Sequence, residues 1–325
     1  MKKKIIVSLG LILIILFSGF YGMYVVKNHI FPYSIIKKYY PSNSNYSTNW
    51  NWSIGIYTGR SPFDLANPNN IINPVLTAKN ITDVNAKFIA DPFLIKSDSL
   101  YYMFFEVLNK QNNQGDIGLA ESKDGFNWSY KKIIIDEPFH LSYPYVFFWK
   151  GNYYLIPESH QDLSVRLYKA VDYPTKWTFL GDILKGYHFA DPSVIHFNNK
   201  WWLFVCTNEN DNLNIYYADH LNGPWTQHLL NPVVKNNMHV ARGGGRIFEY
   251  NNKLFRYAQD CSPKYGSQDY AFEITKLDTV SFEEKMVGNK SIIRASGSGW
   301  NSNGMHTIDP VYIGNGKWIS SVDGY

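Results

Sequence analysis

The chain has 325 residues, 17% of them aromatic, with 31 Lys and Arg against 27 Asp and Glu. Residues 1–47 hold six lysines and no acid, so the rest carries 25 basic against 27 acidic side chains. That balance excludes the basic footprint of a nucleic-acid partner, and the lack of long helical periodicity beyond residue 47 points to an all-β body.

The first element is residues 5–26, twenty-two uncharged positions behind Lys2, Lys3 and Lys4. At about 1.5 Å of rise per residue it spans a hydrocarbon core of roughly 30 Å. It exceeds the usual ~7–15 apolar residues of a cleaved signal peptide, and no Ala-x-Ala site follows. Residues 1–26 are therefore expected to be a signal anchor, a transmembrane helix. The lysines would be cytoplasmic and the remainder outside the cytoplasm, periplasmic or at the cell surface. Residues 27–47, with Pro32, Pro41 and a Ser/Asn run, read as a linker.

From residue 48 to 325 a strand–turn–strand pattern returns five times, at 91–106, 143–158, 191–206, 244–259 and 309–320. The first four copies align without gaps at offsets of 52, 48 and 53 residues. Between them fall hairpins turning at Asp124-Gly125, Tyr173-Pro174 and Gly223-Pro224, so one unit is four antiparallel strands. A period near fifty with strands in every unit predicts a five-bladed β-propeller. The fifth unit lacks outer strands, and the alternating stretch 52–57 is expected to supply one and close the ring. Cys206 and Cys261 end corresponding strands of neighbouring units, where either a disulfide or two buried thiols would fit.

Each repeat is a tight hairpin, so Asp91 and Glu106 belong at one end of a blade, as do Tyr143 and Glu158, and Asp191 and Cys206. Arg242 comes near Gln259 and Asp260 in the same way. With the Asp-Pro strand innermost, Asp91, Glu106, Glu158, Asp191, Asp260 and Asp309 are expected to converge on one mouth of the axial channel. Like charges in a partly dehydrated pocket push their pKa values apart, leaving some carboxylates as bases and others protonated. Glycosidic cleavage uses such a pair; Asp before Pro is equally an ordinary strand-entry turn. His140, Arg242 and His306 lead into the second, fourth and fifth units. Arg242 suits an anionic group or a salt bridge between blades, and the histidines suit sugar hydroxyls or a proton shuttle. The catalytic set is then Asp91, Asp191 and Glu158, and the substrate-binding set Glu106, His140, Tyr143, Arg242, Asp260, His306 and Asp309. No zinc-ligand spacing occurs, and a strand follows Gly243, Gly244 and Gly245 where a nucleotide loop needs a helix. Neither metal nor cofactor is expected.

Ile-Ala-Asp-Pro-Phe-Leu at 89–94, Phe105-Glu106, Ser-Lys-Asp-Gly at 122–125, His-Leu-Ser-Tyr-Pro at 140–144, Ile-Pro-Glu-Ser at 156–159 and Asp-Pro-Ser at 191–193 form a recognisable set. With Gln259-Asp260 and Tyr265-Gly266, they resemble the N-terminal domain of glucosamine inositolphosphorylceramide transferase and its bacterial relatives, over about residues 52–325. That domain is similar in turn to the propellers of glycoside hydrolase family 43. The resemblance implies an Asp base entering the first blade, matched by Asp91, and a pKa-tuning Asp entering the third, matched by Asp191. It also implies a Glu acid entering the fourth, where this chain has Arg242-Gly-Gly-Gly; Glu158, then Glu106, is the displaced candidate. The plant transferase carries a separate glycosyltransferase domain that is not carried over here. One reading is a membrane-anchored, extracytoplasmic, glycoside hydrolase-like propeller acting on a glycan or glycoconjugate. The other is a non-catalytic glycan-binding propeller that serves a partner glycosyltransferase or an envelope polysaccharide pathway.

Overall fold

The structure, a computed structural model, describes Ser18, Tyr21 and residues 50–325 other than Asn208. The expected anchor and linker otherwise lie outside the described residues, and among the described residues no helix is long and apolar enough to cross a membrane.

The propeller begins with β1 (Ser53–Ser61) and β2 (Asp64–Ala66) and then builds four blades in order. The first is β3 (Ala86–Ser97), β4 (Leu100–Asn109), β5 (Gln114–Ser122) and β6 (Ser129–Ile135). The second is β7 (Ser142–Trp149), β8 (Asn152–Ser159), β9 (Ser164–Asp172) and β10 (Lys176–Lys185). The third is β11 (Phe189–Phe197), β12 (Lys200–Thr207), β13 (Leu213–Ala218) and β14 (Thr226–Gln227). The fourth is β15 (Phe248–Tyr250), β16 (Lys253–Gln259), β17 (Gln268–Leu277) and β18 (Phe282–Met286), with β19 (Ile293–Arg294) also on β17. The fifth takes β20 (Ile308–Gly314) and β21 (Lys317–Gly324) from the C-terminus, and β1 and β2 from the N-terminus.

This is the expected five-bladed ring, closed by pairing its two ends from Ser53↔Gly324 to Gly59↔Trp318. The N-terminal stretch supplies two strands instead of one, with β2 outermost. The innermost strand of each blade remains a sheet edge, but in the closed ring it faces the axis and is shielded from other chains.

Burial follows position in the blade. The inner strands β4 and β12 are covered on both faces by neighbouring blades and are apolar almost throughout, whereas the outer β10 is largely exposed. Four apolar clusters fill the interfaces. Phe93, Leu155 and Leu203 link the first three blades, Trp202 and Leu254 the third and fourth, Tyr257 and Val322 the fourth and fifth, and Ile56 and Met103 the fifth and first. Each such side chain removed from water contributes roughly 1.5–3 kcal/mol. Cys206 and Cys261 are both buried free thiols.

The triple glycine lets the fourth blade approach the axis. A Cβ on Gly244 would lie 2.6 Å from an oxygen of Asp269, and one on Gly245, whose φ is +152°, would collide with the Ile308 carbonyl. That closeness lets Ile308 N–H donate to the Gly244 carbonyl at 2.8 Å, tying the inner ends of the fourth and fifth blades together.

Candidate functional site

Three blades begin in the same way. Asp91, Tyr143 and Asp191 each precede a proline and take a left-handed backbone, with φ of 52°, 44° and 47°. Each lies where the register slips, between Ala90 and Phe93, Ser142 and Tyr145, and Ala190 and Ser193. Non-glycine residues adopt this conformation at a cost of about 1–3 kcal/mol. The compensation is visible, because the conformation turns each N–H toward a carboxylate from an adjacent blade. Asp91 N donates to Asp323 Oδ2 at 3.0 Å, Tyr143 N to Asp91 Oδ2 at 3.2 Å, and Asp191 N to Glu158 Oε2 at 2.9 Å. Strand-entry strain and carboxylate placement are thus one device.

On one side of the mouth, Arg242 joins three blades. Its Nε and Nη2 donate to Asp191 at 2.6 and 3.1 Å, its Nη2 to Glu158 Oε2 at 3.2 Å, and its Nη1 to Asn210 Oδ1 at 2.6 Å. The guanidinium also stacks 5.2 Å above the Tyr265 ring. Asp191 is held further by Gln259 Nε2 at 3.0 Å, and Glu158 Oε1 by His160 Nδ1 at 2.7 Å. Burial raises the Asp191 carboxyl more than Arg242 lowers it. For Glu158 burial also pulls upward, but Arg242 and His160 overcome it and hold the group well below the usual carboxylate range.

Opposite lies Glu106, 5% exposed, with the His140 ring as its cationic-type neighbour at 3.5 Å. His140 Nδ1 accepts the Gly115 N–H at 2.9 Å, which places the ring proton on Nε2, the atom facing Glu106. Burial lowers His140 to about 4, so the ring is neutral and adds no compensating charge. Burial, and then the Asp91 and Glu158 charges, raise Glu106 well above its ordinary value. Glu106 is therefore a buried acid that holds its proton more tightly than an ordinary carboxyl does.

The third part is Asp91, His306 and Asp323. His306 Nδ1 lies 2.7 Å from Asp323 Oδ2 and its Nε2 lies 3.6 Å from Asp91 Oδ1, while Thr307 Oγ1 donates to Asp91 Oδ1 at 2.8 Å. Burial would discharge His306, but Asp323 and Asp91 raise it overall. Asp91 is raised by burial, against the pull of His306. These three side chains offer metal-ligand atoms within 4.8 Å of one another, with the imidazole standing between the two carboxyl groups. Trp52 stacks on His306, centroids 4.0 Å apart, and Tyr325 packs on Trp52 at 4.3 Å, so both ends of the propeller cover this corner.

The expected residues are only partly brought together. Asp91, Glu106, Glu158, Asp191, Arg242 and His306 share the mouth, with His140 on its rim. Asp260 bonds His239 Nδ1 at 2.9 Å and the Gln268 amide at 3.2 Å beside them. Tyr143 turns inward instead, fully buried, its hydroxyl donating to the Gly245 carbonyl at 2.8 Å. Asp309 also departs from expectation. It pairs across to Ser321 with no register slip at that point and lies one layer below the mouth, ion-paired to Arg246 at 2.8 Å.

Asp323, not Asp309, occupies the mouth in the fifth blade. The signal for it was spacing: Ala90 and Glu106, Ser142 and Glu158, and Ala190 and Cys206 pair sixteen residues apart, and so do Thr307 and Asp323. The Asp309-Pro310 dipeptide drew the repeat out of register. Asp269, whose two buried oxygens have no partner, carried no sequence signal because it lies on the third strand of its blade.

The ring is a five-bladed propeller, a fold shared with solved glycoside hydrolases. The catalytic domain of Coprinopsis cinerea GH62 alpha-L-arabinofuranosidase superposes with a TM-score of 0.56 at 13% identity, covering 70% of this chain and 78% of that one. CoXyl43, a GH43 beta-xylosidase/alpha-arabinofuranosidase from a compost microbial metagenome, gives 0.50 at 17% identity, covering 64% and 76%. Residues 45–325 match the family model of glucosamine inositolphosphorylceramide transferase 1, N-terminal, and the chain belongs to that family. It is 35% identical over 297 residues to glucosamine inositolphosphorylceramide transferase 1 of Oryza sativa subsp. japonica, covering 84% of this chain and 40% of the rice protein. The match thus spans well under half of that relative's length.

Proposed function

We propose that this propeller is a carbohydrate-active domain that cleaves or transfers a glycosidic bond in a glycan or glycoconjugate, with Asp91 as base and Glu106 as acid. The supporting observation is the contrast between the two glutamates at the mouth. Glu158 is held ionised by Arg242 and His160 and has no proton to give, whereas Glu106 is buried beside Asp91 without a charged cation against it. The acid role that the resemblance left first to Glu158 and next to Glu106 is better filled by Glu106. Glu158 and Asp191 then serve as the clamp around Arg242. Glu106 would protonate the departing sugar oxygen, and Asp91 would take the proton from the incoming water or acceptor hydroxyl. The hydrolase-like fold and the family's carbohydrate-transferring relatives support the substrate class. In this reading residues 1–26 anchor the propeller outside the cytoplasm.

A second reading, a glycan-binding propeller that serves a separate glycosyltransferase, is favoured by one feature. Asp91 is only 7% exposed, beside a corner covered by Trp52 and Tyr325.

The test is turnover by the purified full-length chain on a panel of oligosaccharides and glycolipids, beside Glu106→Gln and Asp91→Asn. The first reading expects product from the wild type and losses of about 10²–10⁴-fold in either variant. Its rate should form a bell against pH, rising as Asp91 ionises and falling as Glu106 loses its proton. Glycan binding by all three proteins with no product from any would replace it with the second reading.

A further inference from the structure

The chain enters the propeller on the mouth face, where Trp50 stacks on Tyr265 with centroids 5.4 Å apart and Trp52 stacks on His306. Beside this entry is a groove of ≈ 570 Å³ that runs along Asn51, Trp52 and Ser53 and is lined by Lys79, Lys87 and Lys110. The three lysines come from separate segments: the short 3-10 turn Ala78–Asn80, the second residue of β3, and the residue after β4. All three are exposed, and none has an ion-pair or side-chain hydrogen-bond partner among the described residues. Lys131, Lys185, Lys200 and Lys253, by contrast, each reach a carboxylate. Asp83, close by in sequence, is occupied elsewhere by the Tyr130 hydroxyl and the Ile133 N–H.

We infer that this lysine groove docks the mouth face of the propeller on an anionic lipid surface. The inference rests on the reading that residues 1–26 anchor the chain in a membrane. The 23 residues from 27 to 49 then hold Trp50 near the bilayer, within a reach of at most ~80 Å. A tether of that length adds effective concentration to the affinity that the unpaired ammonium groups supply by themselves. Trp50, half-buried at the entry, is a residue type that favours the interface between water and lipid. Unpaired lysines are point charges without the fork geometry of arginine, which fits a fluid layer of phosphate headgroups better than one shaped anion.

The experiment uses the propeller from residue 50 to 325, whose ring closes entirely within those residues and which forms one compact unit. It is sedimented with vesicles of phosphatidylcholine alone and of phosphatidylcholine with phosphatidylglycerol. The expected result is co-sedimentation with the anionic vesicles only, released by salt. Binding should weaken about fivefold for each of Lys79→Gln, Lys87→Gln and Lys110→Gln as they are combined. Lys96→Gln, Lys150→Gln and Lys317→Gln remove the same charge from the hairpin turns at the opposite end of the blades and should leave binding unchanged. Equal binding by the two triple variants, or no binding by the wild type, would overturn the inference. Competition by inorganic phosphate at matched ionic strength would overturn it in favour of a free-phosphate site. Because residues 1–49 are absent from this assay, the anchor is tested apart from it, by retention of the full chain on membranes through an alkaline carbonate wash.

Discussion

Arg242 Nε donates to Asp191 Oδ2 at 2.6 Å although the two residues stand 51 positions apart and in different blades. The same guanidinium reaches Glu158 in a third blade, so one cation is shared by two buried carboxyl groups and fastens the second, third and fourth blades at the mouth.

Replacing Arg242 by Met should therefore do more than delete a contact, because Asp191 and Glu158 would remain buried without their cation. The expected loss is about 3–5 kcal/mol of unfolding free energy, read by urea titration followed through tryptophan fluorescence. Arg242→Lys keeps the charge but not the fork and should recover only part of it. A loss below about 1 kcal/mol for Arg242→Met would mean that water or another group already compensates the pair.

Asp269 has the opposite character, with no hydrogen bond to either oxygen and no ion pair among the described residues. Burial, with Asp323 and Asp191 adding to it, raises its carboxyl well above the ordinary value. A raised acid binds its proton more tightly in the folded state, so stability falls as pH rises above the unfolded carboxyl value of about 4. Asp269→Asn removes that penalty. The variant should match the wild type near pH 3 and become progressively more heat-stable than it toward neutral pH. Parallel melting curves across that range would show that Asp269 is paired in solution.

Below the mouth, Asp309 accepts from Arg246 Nε and Nη2 at 2.8 and 2.9 Å and takes the Leu94 N–H at 2.6 Å. Arg246 also donates to the Val146 carbonyl at 2.7 Å and lies over the rings of Tyr145 and Phe93. The pair joins four blades beneath the site. Asp309→Asn should cost about 3–5 kcal/mol by stranding the arginine, while the double variant Arg246→Met, Asp309→Leu should recover most of that loss. Differential scanning calorimetry of the three proteins decides it: a double variant as unstable as Asp309→Asn would mean that the arginine's carbonyl and ring contacts dominate.

The amino-acid sequence by itself determined the number of blades and the end of each blade where chemistry gathers. Apolar strands of alternating pattern, recurring near every fifty residues with hairpin turns between, admit one economical closed architecture. A tight hairpin also fixes which residues meet, so Asp91 with Glu106 and Tyr143 with Glu158 were legible from spacing. The same arithmetic would have found Asp323 had Asp309-Pro310 not mimicked the entry of the other blades. What each carboxylate is paired with was decided only in three dimensions. Arg242 could have met a ligand or a neighbouring blade, and the packing of three inner strands around the axis sends it to Asp191 and Glu158. Glu106 and Glu158 stand at equivalent ends of equivalent hairpins, yet the carboxyl of one is raised and that of the other lowered. Protonation depends on burial and on the nearest charge, and both come from adjacent blades that local sequence does not specify.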